Sequence, residues 1–385
     1  MHLQTKVIYF DYNATTPVDK RVFDAMTPYF LEKFGNASSK THAFGWQADE
    51  AVKNARQITA DFIGAEVQEI LFTSGATESL NLAINGLFSV YHKTKNHIVV
   101  AKTEHNAVLE TCKLLEEKGA TITYLSVDRY GLVDANELEK VITDKTLFVA
   151  IMLVNNETGV IQPIEQLAEI THKYGAFFVC DTTQAIGKIR VDVNELGIDL
   201  ACISAHKLYG PKGIGALYFR RKNPRVNLFP IITGGGQERG LRAGTINVPG
   251  IVGLAKAIEI AESELWENAS IISKLRTRLE QYLIDCGDVT INGSTRDRIF
   301  NTSSLCFKGI KAERLIAKVS GIAFSTGSAC TSALAEPSHV LKAMGLTDEE
   351  AYASVRLSLG KYNTDIEVRN AIDEISKAVK ELRGN

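Results

Sequence analysis

The stretch Phe177-Phe178-Val179-Cys180-Asp181-Thr182-Thr183-Gln184 sets a carboxylate and an amide directly after an apolar run. Downstream, Asp199 to Ile203 leading into Ser204-Ala205-His206-Lys207 repeats the arrangement with an amine. A short unbroken apolar run suits a strand buried on both faces, the condition of a parallel sheet covered by helices. Polar groups just beyond such runs stand at the carboxyl ends of strands, where open α/β sheets bind ligands. The pattern recurs on either side. Ile70-Leu71-Phe72 precedes Leu80, Ile84 and Leu87 at helical spacing, and His97-Ile98-Val99-Val100-Ala101 precedes Val108, Cys112 and Leu115. With the runs Leu147 to Leu153, Ala176 to Cys180 and Gly215 to Phe219, an α/β chain with a mostly parallel, doubly covered sheet is expected.

Beyond about residue 262 the texture changes. A helical stretch runs from about Val248 to Tyr282, with a break expected near Ser263 and Asn268. Ser303 to Lys308 and Ile322 to Ser325 read as strands, and Asp348 to Ala353 and Thr364 to Arg383 as helices. The expected division is a large domain of residues 16–262 and a smaller α+β domain of residues 1–15 and 263–385, since 385 residues exceed what one core usually supports.

The 43 Lys plus Arg against 45 Asp plus Glu leave a net charge of -2, so no global field draws the chain to DNA or an anionic membrane. The basic run Arg220-Arg221-Lys222-Asn223-Pro224-Arg225 lacks interleaved aromatics and reads as a solvated turn, so direct nucleic-acid binding is not expected. No run reaches 18 apolar residues and Met1 to Lys6 has no apolar signal core; a cytoplasmic protein without a membrane partner is expected. Six cysteines form no CxxC pair and HExxH is absent, which argues against a metal site or disulfide scaffold.

Thr73-Ser74-Gly75-Ala76-Thr77 lies between a predicted strand and helix, where the N-H groups of Ala76 and Thr77 and the Thr77 hydroxyl can face a phosphate; a helix cap is the alternative. Asp181 can pair with a protonated pyridine nitrogen or cap the next helix, and Gln184 can bond the ring's phenolic oxygen. Lys207 offers an amine for a Schiff base, flanked by Ser204 and His206 as phosphate donors. Together these three strand-end groups point to pyridoxal 5'-phosphate.

The motif set extends through Tyr9-Phe10-Asp11-Tyr12-Asn13-Ala14-Thr15-Thr16-Pro17, Thr103-Glu104-His105-Asn106-Ala107-Val108 and Val154-Asn155-Asn156-Glu157-Thr158-Gly159. It continues through Gly234 to Thr245, Ser325 to Ser332 and Ser354-Val355-Arg356-Leu357-Ser358. On these residues the chain resembles the cysteine desulfurases of the NifS/IscS family, class-V aminotransferases of PLP fold-type I. The resemblance implies a large domain with a mostly parallel seven-stranded sheet. It also implies that Lys207 carries the cofactor, Asp181 meets the pyridinium, Gln184 the phenolic oxygen, and His105 stacks on the ring. Ala76, Thr77, Ser204 and His206 would hold the phosphate with Thr245 from a partner subunit of a homodimer, and Asn156 and Arg356 would orient the substrate. Thr182, Ala205 and Gln237 depart from the usual Ala, Gly and His, which is expected to touch ring packing and the dimer-side loop but not the reacting groups. The sequence ends at Asn385, whereas housekeeping members carry a longer tail for scaffold docking, a departure that bears on the downstream partner rather than on the chemistry.

Cys330 lies among Ser325, Thr326, Gly327, Ser328, Thr331 and Ser332, residues that pack weakly and suit an exposed nucleophile, whereas Cys112, Cys180, Cys202, Cys286 and Cys306 sit in or near apolar runs. The expected activity is conversion of L-cysteine to L-alanine with a persulfide left on Cys330 for a sulfur-accepting protein. An iron-sulfur scaffold is the first choice of acceptor, with DNA phosphorothioation and tRNA thiolation as alternatives. A selenocysteine lyase, an aminotransferase and a binding protein that has lost catalysis are the competing readings.

Overall fold

The computed structural model describes residues 7–327 and 336–384. Seven strands form the main sheet: β1 (Ile70–Thr73), β2 (His97–Ala101), β3 (Thr121–Leu125), β4 (Thr146–Ala150), β5 (Phe177–Asp181), β6 (Leu200–Ser204) and β7 (Gly215–Phe219). Their spatial order is β1-β7-β6-β5-β4-β2-β3, and all pairings are parallel except those of β7, antiparallel to both β1 and β6. Helices Ala76–Tyr91 and Asn106–Glu116 lay Leu80, Ile84, Leu87, Val108, Cys112 and Leu115 against Ile98, Val100 and Phe148 on one face. On the other, Val52, Leu167, Ile251, Leu254 and Ile258 from three helices pack with Val99, Val149 and Phe178. Each such side chain taken fully out of water contributes about 1.5–3 kcal/mol, which explains why the inner strands are apolar throughout.

Strand β3 was not anticipated. It forms the sheet's edge, and its Thr121 and Tyr124 are exposed, so it lacks the apolar run that marks the inner strands. The apolar run 147–153 leaves the strand after Ala150, although Ile151 and Leu153 still donate to the carbonyls of Val179 and Asp181.

A second layer joins antiparallel strands Val289–Ile291, Thr302–Phe307 and Ser354–Ser358 to helices Ala312–Lys318 and Asp365–Arg383. Leu305, Phe307, Val355, Leu357, Ile372 and Ile375 make its core, joined by Phe10 from the amino-terminal segment. Helix Val248–Ile284 runs unbroken for 37 residues and contributes to both cores; the expected break does not occur. Ser263 turns its hydroxyl to the Ile260 carbonyl within the helix, its neighbour Glu264 is paired with Arg21 and Lys361, and the helix continues through Asn268. The amino-terminal segment is the seam between the layers. Tyr12 and Asn13 donate backbone N-H groups to Ser358, and Thr16 donates to the carbonyl of His206.

Candidate active site

At the end of β1, Gly75 takes φ of +151° and caps helix Ala76–Tyr91. Gly215 opposite must also lack a side chain: a methyl there would lie 2.3 Å from the Ile203 carbonyl oxygen and 2.7 Å from Gly75 Cα. The helix start therefore sits close against β7, and Gly75, Ala76 and Thr77 line a cleft of about 1430 Å³ together with Ser204 and His206. His206 Nδ1 lies 3.1 Å from Thr15 Oγ1. Burial, reinforced by Lys207 and Lys212, pushes its pKa down to about 4, so at neutral pH it offers an uncharged imidazole. A positive helix end, a buried serine and an imidazole on one wall fit a phosphate.

Asp181 closes β5, and Lys207 follows β6; both line the same cleft. Asp181 Oδ1 accepts from the Thr183 N-H at 2.8 Å and from Cys202 Sγ at 3.2 Å, which fixes the carboxylate. Lys207 Nζ donates to the carbonyls of Asn13 at 2.5 Å and Ala14 at 2.7 Å. His105 lines the cleft and also caps helix Asn106–Glu116, its Nδ1 accepting from the Ala107 N-H at 3.1 Å. A peptide N-H only donates, so the neutral ring carries its proton on Nε2. Burial lowers the His105 pKa and favours that neutral form, against the opposing pull of Asp181.

Arg356 is buried on strand Ser354–Ser358 and lines the cleft. Its Nη1 donates to the carbonyls of Asn156 and Gly327, and Nη2 to Asp11 Oδ1 at 2.7 Å. Asn156 lines the cleft as well. Gln184 does so too, with its amide engaged by two neighbours: Nε2 donates to the Asn13 carbonyl at 3.0 Å, and Oε1 accepts from Lys188 Nζ at 2.6 Å. Nine residues predicted as site members, Ala76, Thr77, His105, Asn156, Asp181, Gln184, Ser204, His206 and Arg356, thus meet Lys207 in one cleft. Thr245 is exposed and does not line the cleft of its own chain. Cys330 lies outside the described residues; Gly327 and Glu336, on either side of that segment, both line the cleft.

Two of the three departures, Thr182 and Gln237, have local explanations. Thr182 spends its hydroxyl on the Cys202 carbonyl at 2.7 Å, and Gln237 accepts from the Gly244 N-H at 3.0 Å, closing its own loop. The basic run is also engaged: Arg220 pairs with buried Asp199, and Lys222 with Glu66. Cys112 is pushed up to about 12 by burial, and Cys180 and Cys202 are raised well above the thiol range, all unsuited to nucleophilic work. Asp11, Asn13, Lys188 and His339 had been given no role. The first two stood within a recognised motif, but their partners are distant in sequence; His339 lines the cleft and donates from Nε2 to the Glu104 carbonyl.

A fixed carboxylate, a lysine amine, an imidazole and a helix start around one cleft form the donor set for a phosphorylated pyridine aldehyde. Residues 8–370 match the family model for class-V aminotransferases. The cysteine desulfurase IscS of Rickettsia massiliae is 48% identical over 380 residues, 98% of this chain and 92% of that protein. The chain belongs to the cysteine desulfurase family. It is a pyridoxal-phosphate-dependent enzyme of the class-V aminotransferase group. A NifS-like protein of known structure superposes with this desulfurase at a TM-score of 0.91 and 41% identity, covering 97% of this chain and 100% of that one. SspA in complex with cysteine does so at 0.82 and 38%, covering 93% and 100%. Among the described residues no helix of the desulfurase is long and apolar enough to cross a membrane.

Proposed function

We propose that this enzyme transfers the sulfur of L-cysteine to Cys330, releasing L-alanine. The observation that carries the reading is the meeting of Lys207, Asp181, His105 and Arg356 in one cleft, with both flanks of the Cys330 segment on its wall. Lys207 would hold pyridoxal 5'-phosphate, which when bound would supply an electron sink for breaking the Cβ-S bond of the substrate. Asp181 would hold the proton on the ring nitrogen, and Gln184 would donate to the phenolic oxygen. Ala76, Thr77, Ser204 and His206 hold the phosphate, with Thr245 supplied by the partner subunit. Arg356 binds the substrate carboxylate and Asn156 aids its orientation. The Lys207 amine moves the proton at the substrate Cα. His105, protonated on Nε2, would stack on the ring and would carry the proton at the substrate sulfur. The Cβ-S bond breaks as an S-S bond to Cys330 forms: L-cysteine and a thiol become L-alanine and a persulfide, with no external oxidant.

The persulfide then passes to a sulfur-accepting protein, and iron-sulfur cluster assembly is the pathway we favour in the cytoplasm. The working unit is a homodimer. Phe30, Leu31, Phe34 and Phe44 stand exposed near one another in sequence, with the Phe34 and Phe44 rings 5.3 Å apart, an apolar surface suited to a second copy. We place the domain division in helix Val248–Ile284, with residues 16–262 holding the cofactor and residues 1–15 and 263–385 carrying the Cys330 segment.

Two variants test the chemistry. Cys330→Ser should keep the bound cofactor's visible absorbance and its response to L-cysteine but lose turnover, whereas Lys207→Ala should lose both cofactor attachment and turnover. Labelled L-cysteine followed by non-reducing peptide mass analysis should place the sulfur on Cys330. Full turnover in Cys330→Ser with persulfide at another cysteine removes that assignment. Activity confined to L-selenocysteine, or keto acid in place of alanine, removes the desulfurase reading itself.

A further inference from the structure

Lys188 has no part in the chemistry above, yet it stands beside it. Its Nζ donates to Gln184 Oε1 at 2.6 Å and lies 3.4 Å from Asn13 Oδ1. The Gln184 amide is therefore held at both ends by partners of fixed sense. An ammonium can only donate, so the atom facing Lys188 is the amide oxygen; the Asn13 carbonyl can only accept, so the atom facing it is the amide nitrogen. Of the two ways a glutamine amide can be turned, one is excluded twice. One Nε2-H then remains uncommitted to these neighbours, on a residue that lines the cleft.

We propose that Lys188 is a positioning residue, which locks the Gln184 amide so that its remaining N-H is presented to the phenolic oxygen of the cofactor ring. The proposal rests on the reading of Gln184 as the ring contact. A second cavity, about 40 Å³, lies on the Lys188 side and is also lined by Lys207, Tyr12, Tyr209, Glu264 and Lys361. Burial and the charges of Lys207 and Arg356 push the Lys188 pKa down to about 7. A neutral amine gains a lone pair and can accept, which removes one of the two exclusions of the second amide orientation, so the lock is firmest when Lys188 is charged. Without it, only the Asn13 carbonyl opposes the turn that would bring the amide oxygen toward the phenolic oxygen and against its anionic form.

The test uses the full-length enzyme loaded with pyridoxal 5'-phosphate, and Lys188→Met, Gln184→Met and the double variant. Two quantities are read without turnover: cofactor affinity, and the pH midpoint of the bound cofactor's visible absorbance. Lys188→Met should weaken affinity about three- to tenfold and raise the midpoint by about half a unit to one unit. In the Gln184→Met background, the same change should alter affinity by less than about twofold, because the group it positions is gone. Lys188→Arg, which still only donates, should restore both values. Should Lys188→Met fail to fold, Lys188→Gln, whose own amide can turn either way, is read in its place. Independent, additive effects of the two substitutions overturn the proposal, as does a silent Lys188→Met where Gln184→Met is damaging. A silent Gln184→Met instead overturns the ring-contact reading beneath it.

Discussion

Replacing Glu238 by Gln is expected to destabilise the enzyme out of proportion to one exchanged atom. Glu238 sits in the glycine-rich loop, yet its carboxylate is buried and points back to the sheet. Oε1 accepts from Arg56 Nη2 at 2.6 Å, and Oε2 accepts from both Arg56 Nη1 and the Phe72 N-H at 2.8 Å. Glu238 and Arg239 hold consecutive left-handed conformations, φ +44° and +60°, a backbone cost that these contacts must outweigh. A glutamine must point its NH₂ at a donor whichever way it turns, and the Arg56 guanidinium, 12% exposed, loses its counter-charge. Breaking a buried pair from one side costs about 3–5 kcal/mol. With an unfolding entropy of about 2.1 cal/mol/K per residue over the 385-residue chain, the melting midpoint falls by about 4–6 °C. Calorimetry of the loaded enzyme measures the shift, and trypsin should cut sooner at Arg239 and Arg242. Asp24→Asn, which breaks an exposed pair with Lys20, is the control and should move the midpoint by less than about 1 °C. A Glu238→Gln midpoint as little changed as the control's, with unaltered cleavage, would refute the reasoning.

Three further outcomes are expected. Gly215→Ala forces a methyl against the Ile203 carbonyl and Gly75 Cα, so cofactor affinity should fall at least about tenfold in an absorbance titration; wild-type affinity would show that the backbone shifts freely. The folded-state pKa of His206, about 4, lies below its ordinary 6.5, so its contribution is complete above pH 6.5 and is lost as pH falls toward 4; urea unfolding across that window should show a flatter acid limb in His206→Asn. Burial raises the Glu104 pKa well above 4.5, so this group favours folding below pH 4.5 and loses that contribution as pH rises; Glu104→Gln should melt higher than wild type at pH 8, with the gain vanishing near pH 4.5.

The parts of this molecule that can be read from sequence are those whose physics is local. Inner strands buried on both faces announce themselves as apolar runs, and Asp181 and Lys207 are visible because one closes such a run and the other follows one by a short turn. Strand β3, half solvated at the edge, carries no such mark. Nor does polarity alone predict a helix break: Ser263 and Glu264 satisfy themselves within helix Val248–Ile284 or against other elements, a fact set by packing rather than by the neighbouring residues.

What sequence leaves out is the layer that holds the reactive groups in place. Gln184 meets Asn13 across 171 positions, Lys207 meets it across 194, and Arg356 meets Asp11 across 345. No periodicity spans such separations. Asn13 is the clearest case: its carbonyl receives Lys207 and Gln184, its Nδ2 reaches Thr302 Oγ1 and the Asn156 carbonyl, and its Oδ1 accepts from Asn301. One buried residue thus ties Lys207 of the first layer to strand Thr302–Phe307 of the second. The amino-terminal segment is short and largely polar, but its position between two cores makes it the means by which the two halves of the cleft keep register.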